Sequence, residues 1–274
     1  MDLSRLFRPL ADDLIALLNN IPESEWDNRT CYPTWRVRNI VGHLAQTAMS
    51  RLSAQRDRLR EISPAKTPSF VALSSIIGDA NDAFAQFSDR LSHTVLRDLV
   101  SLYEPQLTEL LESADPNERA TYAVSWAGEV ESSMGFDIAR EFTERWHHQQ
   151  QIREAVGATS ITHKNYLQPV LRILALCLPY WFQSVAADPG SEVAVNITGA
   201  SGGRWVLCRD VDHWRLDERE PDKMEASITI ADDMAWRHWT RSIAPRETSK
   251  HVKVDGDKYF TSAFLESKAV MIND

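Results

Sequence analysis

The chain has 274 residues, 43% of them hydrophobic and 25% charged, and carries a net charge of −9 at pH 7, a length that suits two domains and a composition that suits a folded protein. The negative balance argues against nucleic acid as a partner, and Cys31, Cys177 and Cys208, widely spaced and without a CxxC, suggest neither a disulfide framework nor a thiolate zinc site. The most apolar window, Val170 to Phe182, is interrupted by Arg172 and Pro179 and is too short to span a membrane, while Arg5, Arg8, Asp12 and Asp13 break up any signal sequence, so the expected compartment is the cytoplasm and no membrane partner is expected.

Leu3, Leu6, Phe7, Leu10, Leu14, Ile15 and Leu18 recur at three and four, which predicts a first amphipathic helix. Pro22, Asp27, Asn28 and Pro33 break the pattern. Val37, Ile40, Val41, Leu44 and Ala48 resume it in a second helix from about Trp35 to Arg60, ended by Pro64 and Pro68. A third helix follows from Phe70 to about Leu91, and a fourth from Leu96 to Leu111. A long one runs from about Glu129 to Val156 with Gly157 as its C-cap, and a last one from His163 to Val185.

After Gly190 the period changes to two. Val193, Val195 and Ile197, then Trp205 and Leu207, then Ile228 and Ile230 read as strands, with turns at Gly199–Gly203 and Asp210–Asp212, the second leading into a strand that ends at Trp214 and Leu216. Asp232 and Asp233 look like caps of a helix through Trp239. His251–Val254 reads as a strand, Asp257–Ser267 as a helix and Ala269–Ile272 as a final strand. The expected class is α+β: an antiparallel helical bundle over residues 1–158 and a linking helix with a small α/β domain over 159–274.

Chemistry concentrates in Arg140–Arg153. Residues four apart share a helix face, so Glu144 and His148 reach one point from successive turns. His148 flanks the apolar stripe of Met134, Ile138, Phe142 and Ile152, whereas His147 lies nearly opposite and is expected at the surface. The alternative reading makes Asp137, Glu141, Glu144, His148 and Gln151 a solvated polar stripe. His43 stands inside the apolar run Ile40–Ala45, where an unpartnered imidazole is costly. It is either a hydrogen-bonded core histidine or a ligand. Two imidazoles and one carboxylate form the donor set of a divalent catalytic site with a position left open. Trp146, two residues before His148, is a candidate cavity wall beside a bound cofactor.

Cys31–Pro33 followed by Trp35-Arg-Val-Arg-Asn-Ile-Val-Gly-His-Leu44 resembles the second-helix signature of the DinB-like bundle family, more closely its mycothiol-dependent maleylpyruvate isomerase branch. Glu144 and His148 match that branch's later Glu-x-x-x-His. Ile228–Asp232, Trp236-Arg237 and Val254–Asp257 are similar to its sterol-carrier-like C-terminal domain. The resemblance implies a metal, zinc in the first place, on His43, Glu144 and His148, with a low-molecular-weight thiol as co-substrate. That thiol adds to an activated double bond, permits rotation and leaves, or is transferred. The resemblance also implies an arginine of the C-terminal domain for a substrate carboxylate, with Arg204, Arg237 and Arg241 as candidates. It further implies that many relatives carry an acidic residue where Gln151 stands. The expected function is therefore a metal-dependent isomerase or thiol transferase acting on a small electrophilic organic acid, as a monomer or homodimer. The alternative is a small-molecule or lipid-binding protein whose metal site is structural or vestigial.

Overall fold

The computed structural model describes residues 3–59 and 70–270. The predicted end of the second helix near Arg60, its two prolines, and the last two residues of the predicted final strand lie outside the described residues. The chain divides into two compact units: one holds the residues up to Val124 together with Val130–Ile161, the other Ser125–Glu129 and Thr162–Val270.

The first unit is helical. Helix α1, Ser4–Asn20, buries Phe7, Leu10, Ala11, Leu14, Leu17 and Leu18, the face set by its three-and-four spacing. Helix α2, Val37–Arg51, buries Val37, Ile40, Val41, Leu44, Ala45 and Ala48 and runs on into a wider turn over Leu52–Arg56. Its start is tied down by Asn39, whose side-chain oxygen accepts from Arg36 N at 2.9 Å and whose amide donates to Ala85 O at 2.9 Å. Gly42 allows helix α3, Phe70–Ser88, to come close, since a Cβ there would stand 2.6 Å from that of Ser88.

Helix α4, His93–Glu112, begins three residues before the predicted Leu96 because the Ser92 hydroxyl accepts from Val95 N at 3.2 Å. Helix α5, Met134–Ala155, starts later than the predicted Glu129 for the same kind of reason: Ser133 caps it through Phe136 N at 3.2 Å. It ends at Gly157, whose φ of +63° allows Ala158 N to reach back to Arg153 O at 2.8 Å.

In the second unit the predicted single helix from His163 to Val185 is two, α6 at Lys164–Leu174 and α7 at Leu178–Phe182, separated by a tight turn over Ala175–Cys177. Pro179 has no N–H to continue the ladder, so it starts a new helix instead. Five strands follow as one sheet in the order β3-β2-β1-β4-β5. They are β1 Glu192–Thr198, β2 Gly203–Arg209, β3 Trp214–Asp217, β4 Ala226–Ala231 and β5 Lys253–Gly256. Only β1 and β4 are parallel, so the chain between β3 and β4 must cross the sheet. Glu192 secures that crossing by accepting from Asp222 N at 2.7 Å and Lys223 N at 3.1 Å.

Helix α8, Asp232–Trp239, packs on β1 and β4, and α7 packs on β3. After helix α9, Pro245–Thr248, the strand predicted at His251–Val254 forms two residues later. The helix predicted from Asp257 is a capped turn, Asp257 Oδ1 accepting from Tyr259 N at 2.8 Å, followed by α10, Thr261–Glu266. Ala269 and Val270 form no strand. A helical region followed by a mixed sheet with helices is the α+β class expected from the periodicities.

Candidate metal centre

His43 projects from the inner face of α2, and Glu144 and His148 project from successive turns of α5. Among the described residues these three are the one cluster of His, Cys, Asp or Glu side chains able to share an ion, with one ligand atom from each lying within 4.8 Å of the others. Both imidazoles meet the same carboxylate oxygen: Glu144 Oε1 is 3.2 Å from His43 Nε2 and 3.0 Å from His148 Nε2. The rings stand edge to face with centroids 4.7 Å apart. His43 is 3% exposed, whereas the Glu144 side chain keeps 27% of its surface, so the carboxylate has an open side.

The other nitrogen of each ring differs. His148 Nδ1 is 2.8 Å from Gln151 Oε1, and Gln151 Nε2 in turn donates to Cys31 Sγ at 3.4 Å. His43 Nδ1 is buried without a hydrogen-bond partner among the described residues. His148 thus presents both nitrogens to oxygen atoms. A neutral imidazole has one N–H for two acceptors, so the arrangement is satisfied by an imidazolium or by a cation among the three side chains. Burial pushes the His43 imidazole below the usual histidine range, against its hydrogen bond to Glu144. Burial also opposes ionisation of Glu144, but the charge and hydrogen bond of His148, with His43 adding to both, override it and hold the carboxyl well below its ordinary value.

Trp35 closes one side of the cluster. Its ring lies 5.1 Å from that of His43 and stacks at 6.3 Å on that of His148, and its indole N–H donates to Asp82 at 3.2 Å. The sequence reading missed this wall. Its signal was the aromatic pair Tyr32 and Trp35 just ahead of the His43 helix, whose rings meet edge to face at 5.4 Å.

The solvated polar stripe does not exist. Asp137, Glu141, His148 and Gln151 are all buried, and α5 is buried around most of its circumference. Its charges are neutralised inside the helical unit. Arg51 forms a two-pronged pair with Asp137 at 2.8 and 2.9 Å, Arg140 bridges Asp137 and Glu141, and Arg145 joins Glu141 at 2.9 Å to Glu104 at 2.6 Å. Arg145 also donates to Leu44 O at 2.7 Å, one residue beyond His43.

His147 corrects a second expectation. It is buried, not at the surface, its ring stacks on His148 at 4.8 Å, and burial pulls its pKa down to about 3. The helical wheel placed it opposite the apolar stripe, but that side of α5 is covered too. Two residues on, Gln149 faces Leu10 O and Leu14 N, and with its amide turned to match them it donates to the first at 3.1 Å and accepts from the second at 3.0 Å, fastening this side to α1.

Trp146 is fully buried and its indole N–H donates to Ile161 O at 3.0 Å, which places it in the core of the helical unit. The three candidate arginines all lie in the second unit. Arg204 is paired with Glu220 and Asn196, and Arg241 donates to Ser267 O at 3.0 Å and Glu266 O at 2.7 Å at the end of α10. Arg237 is held by Asp233 and lies over the Trp236 ring, 4.4 Å from its centroid.

The family model of the mycothiol maleylpyruvate isomerase N-terminal domain matches residues 7–153. No curated protein matches the chain. Among solved structures, that of the mycothiol-dependent maleylpyruvate isomerase is 15% identical over 93% of both chains, with a TM-score of 0.57. A histidine-to-alanine mutant of the same enzyme is 14% identical, also over 93% of both chains, with a TM-score of 0.58. At such identity the likeness speaks for the fold of both units. The family model spans more than half of the sequence, and the chain belongs to the mycothiol maleylpyruvate isomerase N-terminal domain family.

Proposed function

We propose that this protein is a metal-dependent enzyme that uses mycothiol or a similar low-molecular-weight thiol to isomerise, or transfer the thiol to, a small electrophilic organic acid such as maleylpyruvate. Family membership supports the thiol-dependent isomerase class. The observation that carries the metal is the convergence of two imidazoles on one Glu144 oxygen, with His148 facing acceptors at both nitrogens. Without a cation, a neutral His148 turns a lone pair on an oxygen. The donor set fits a divalent ion, and the exposed side of Glu144 leaves room for a further ligand.

His43, Glu144 and His148 would hold the ion, which when bound would act as a Lewis acid that lowers the thiol's pKa and favours thiolate at neutral pH. Zinc is the first choice, though the same donors accept nickel, iron or manganese. Glu144 supplies the negative charge of the set because it stays ionised. His43 stays neutral through burial, with a lone pair to offer. Trp35 shields both imidazoles from water on its side. For a substrate carboxylate we assign Arg237 ahead of Arg204 and Arg241, because stacking on Trp236 and the ion pair with Asp233 hold its guanidinium in place. Residues 1–158 are the metal-bearing part of the proposed division and 159–274 the remainder.

The test is metal content by elemental mass spectrometry of tag-free wild type and His43→Ala. The expected result is about one equivalent of divalent metal in the wild type and its loss in the variant. A wild type that carries none and cannot be loaded with zinc or nickel sinks the metal reading. With metal in place, mycothiol-dependent isomerisation of maleylpyruvate is the first assay.

A further inference from the structure

Resting on that metal-binding reading, we propose that Gln151 is the positioning residue that selects the tautomer of His148, and that Cys31 biases which way round the Gln151 amide stands. A carbonyl oxygen only accepts hydrogen bonds. With Gln151 Oε1 2.8 Å from Nδ1, the proton of a neutral His148 sits on Nδ1, and the lone pair is left on Nε2, the nitrogen beside Glu144 and His43.

The amide is reversible. Turned over, its NH2 would donate to Nδ1, the proton would move to Nε2, and a hydrogen bond from Nε2 to Glu144 would take the place of an ion. The far end of the amide favours one orientation: Gln151 Nε2 donates to Cys31 Sγ at 3.4 Å, and Gln151 is 4% exposed, so bulk water does not compete for either end. Among the described residues His43 has no comparable control, because none of them hydrogen-bonds its buried Nδ1. Ring orientation at the cluster therefore depends on Gln151, which meets the cluster through His148 Nδ1. Such outer partners fix the tautomer and direction of a ligating histidine and typically account for a ten- to hundredfold share of metal affinity.

The experiment compares wild type with Gln151→Leu, which removes the acceptor, and Gln151→Glu, which returns one. Two readouts are used: zinc affinity, by competition with a chromophoric chelator, and the His148 tautomer in the zinc-loaded protein, by long-range proton–nitrogen correlation NMR. Wild type should show Nδ1 protonated and Nε2 bound. Gln151→Leu should weaken zinc about 10- to 100-fold, Gln151→Glu should recover most of that, and Cys31→Ala should weaken it to a smaller extent. Wild-type affinity and tautomer in Gln151→Leu overturn the proposal while leaving the metal site standing. Equal losses in the Leu and Glu variants also overturn it, by showing a packing effect. Unchanged affinity in Cys31→Ala removes the part assigned to Cys31. A wild type that binds no zinc takes the metal reading down and this inference with it.

Discussion

Two adjacent histidines on α5 share one buried environment, yet only His148 reaches the Glu144 carboxylate. His147 lies against its neighbour's ring and stays uncharged, its pKa near 3 set by burial and then by the neighbouring His148. Its ring packs on that of His148, so His147→Ala should cost about 1 to 3 kcal/mol of stability in urea unfolding, in the range of a truncated core side chain, with metal stoichiometry unchanged. A lost equivalent of metal in that variant would mean that the neighbouring residue also ligates. The position of His148 is specified by hydrogen bonds at both nitrogens.

At the scale of the element, α5 is a helix whose polar residues face protein. Arg51 from α2 meets Asp137, which is fully buried, and also reaches Glu141 at 3.2 Å. Burial works against both carboxylates, and the surrounding arginines overcome it and hold both below their ordinary values. A pair of this kind adds little net stability over an apolar contact, but breaking it leaves a charge without compensation. Arg51→Met should therefore destabilise the helical unit by about 3 to 5 kcal/mol, read from its chemical-denaturation midpoint. A change below about 1 kcal/mol, the level of a surface ion pair, would show that Arg140 alone neutralises the site. The network anchors α5 to α2 at two levels, about two turns from the cluster through Arg51 on Asp137 and right beside it through Arg145 on Leu44 O, which gives His43 and Glu144 a rigid frame.

At the scale of the whole molecule, a buried histidine makes each unit sensitive to acid, His147 in the first and His238 in the second. His238, in the second unit, is fully buried, its Nε2 donates to Phe264 O at 2.9 Å, and burial pulls its pKa down to about 4. In the unfolded chain it titrates near the ordinary value of about 6.5. Between those limits the unfolded state binds the extra proton, so stability is full above about pH 6.5 and falls as the pH drops towards 4. From pH 7 to pH 5 the loss from this one group is about 2 kcal/mol. Urea midpoints of wild type and His238→Gln at the two pH values measure it: the variant should lose less on acidification, and an equal loss in both would assign the acid sensitivity to other groups. The second unit also has little freedom at its strand crossing, which Glu192 holds by backbone N–H groups on the far loop.

Element type and order were legible because they rest on local periodicity: spacing of three and four in α1 and α2, alternation in β1, β2 and β4, and Gly157 at the end of α5. Glu144 and His148 are close for the same local reason, one helical turn. Helix starts moved where a serine hydroxyl, at Ser92 and Ser133, outranked the apolar pattern, and one predicted helix split at Pro179. A helical wheel states which residues share a face and is silent on how many faces are covered. Burial of Asp137, Glu141 and His147, the arginines that neutralise the acids, the Trp35 wall and the link from Cys31 through Gln151 to His148 all come from residues distant in the chain. Their contacts exist only once α2, α4 and the segment around Trp35 have closed on α5, because side chains about 100 positions apart, such as His43 and Glu144, meet through packing and not through spacing.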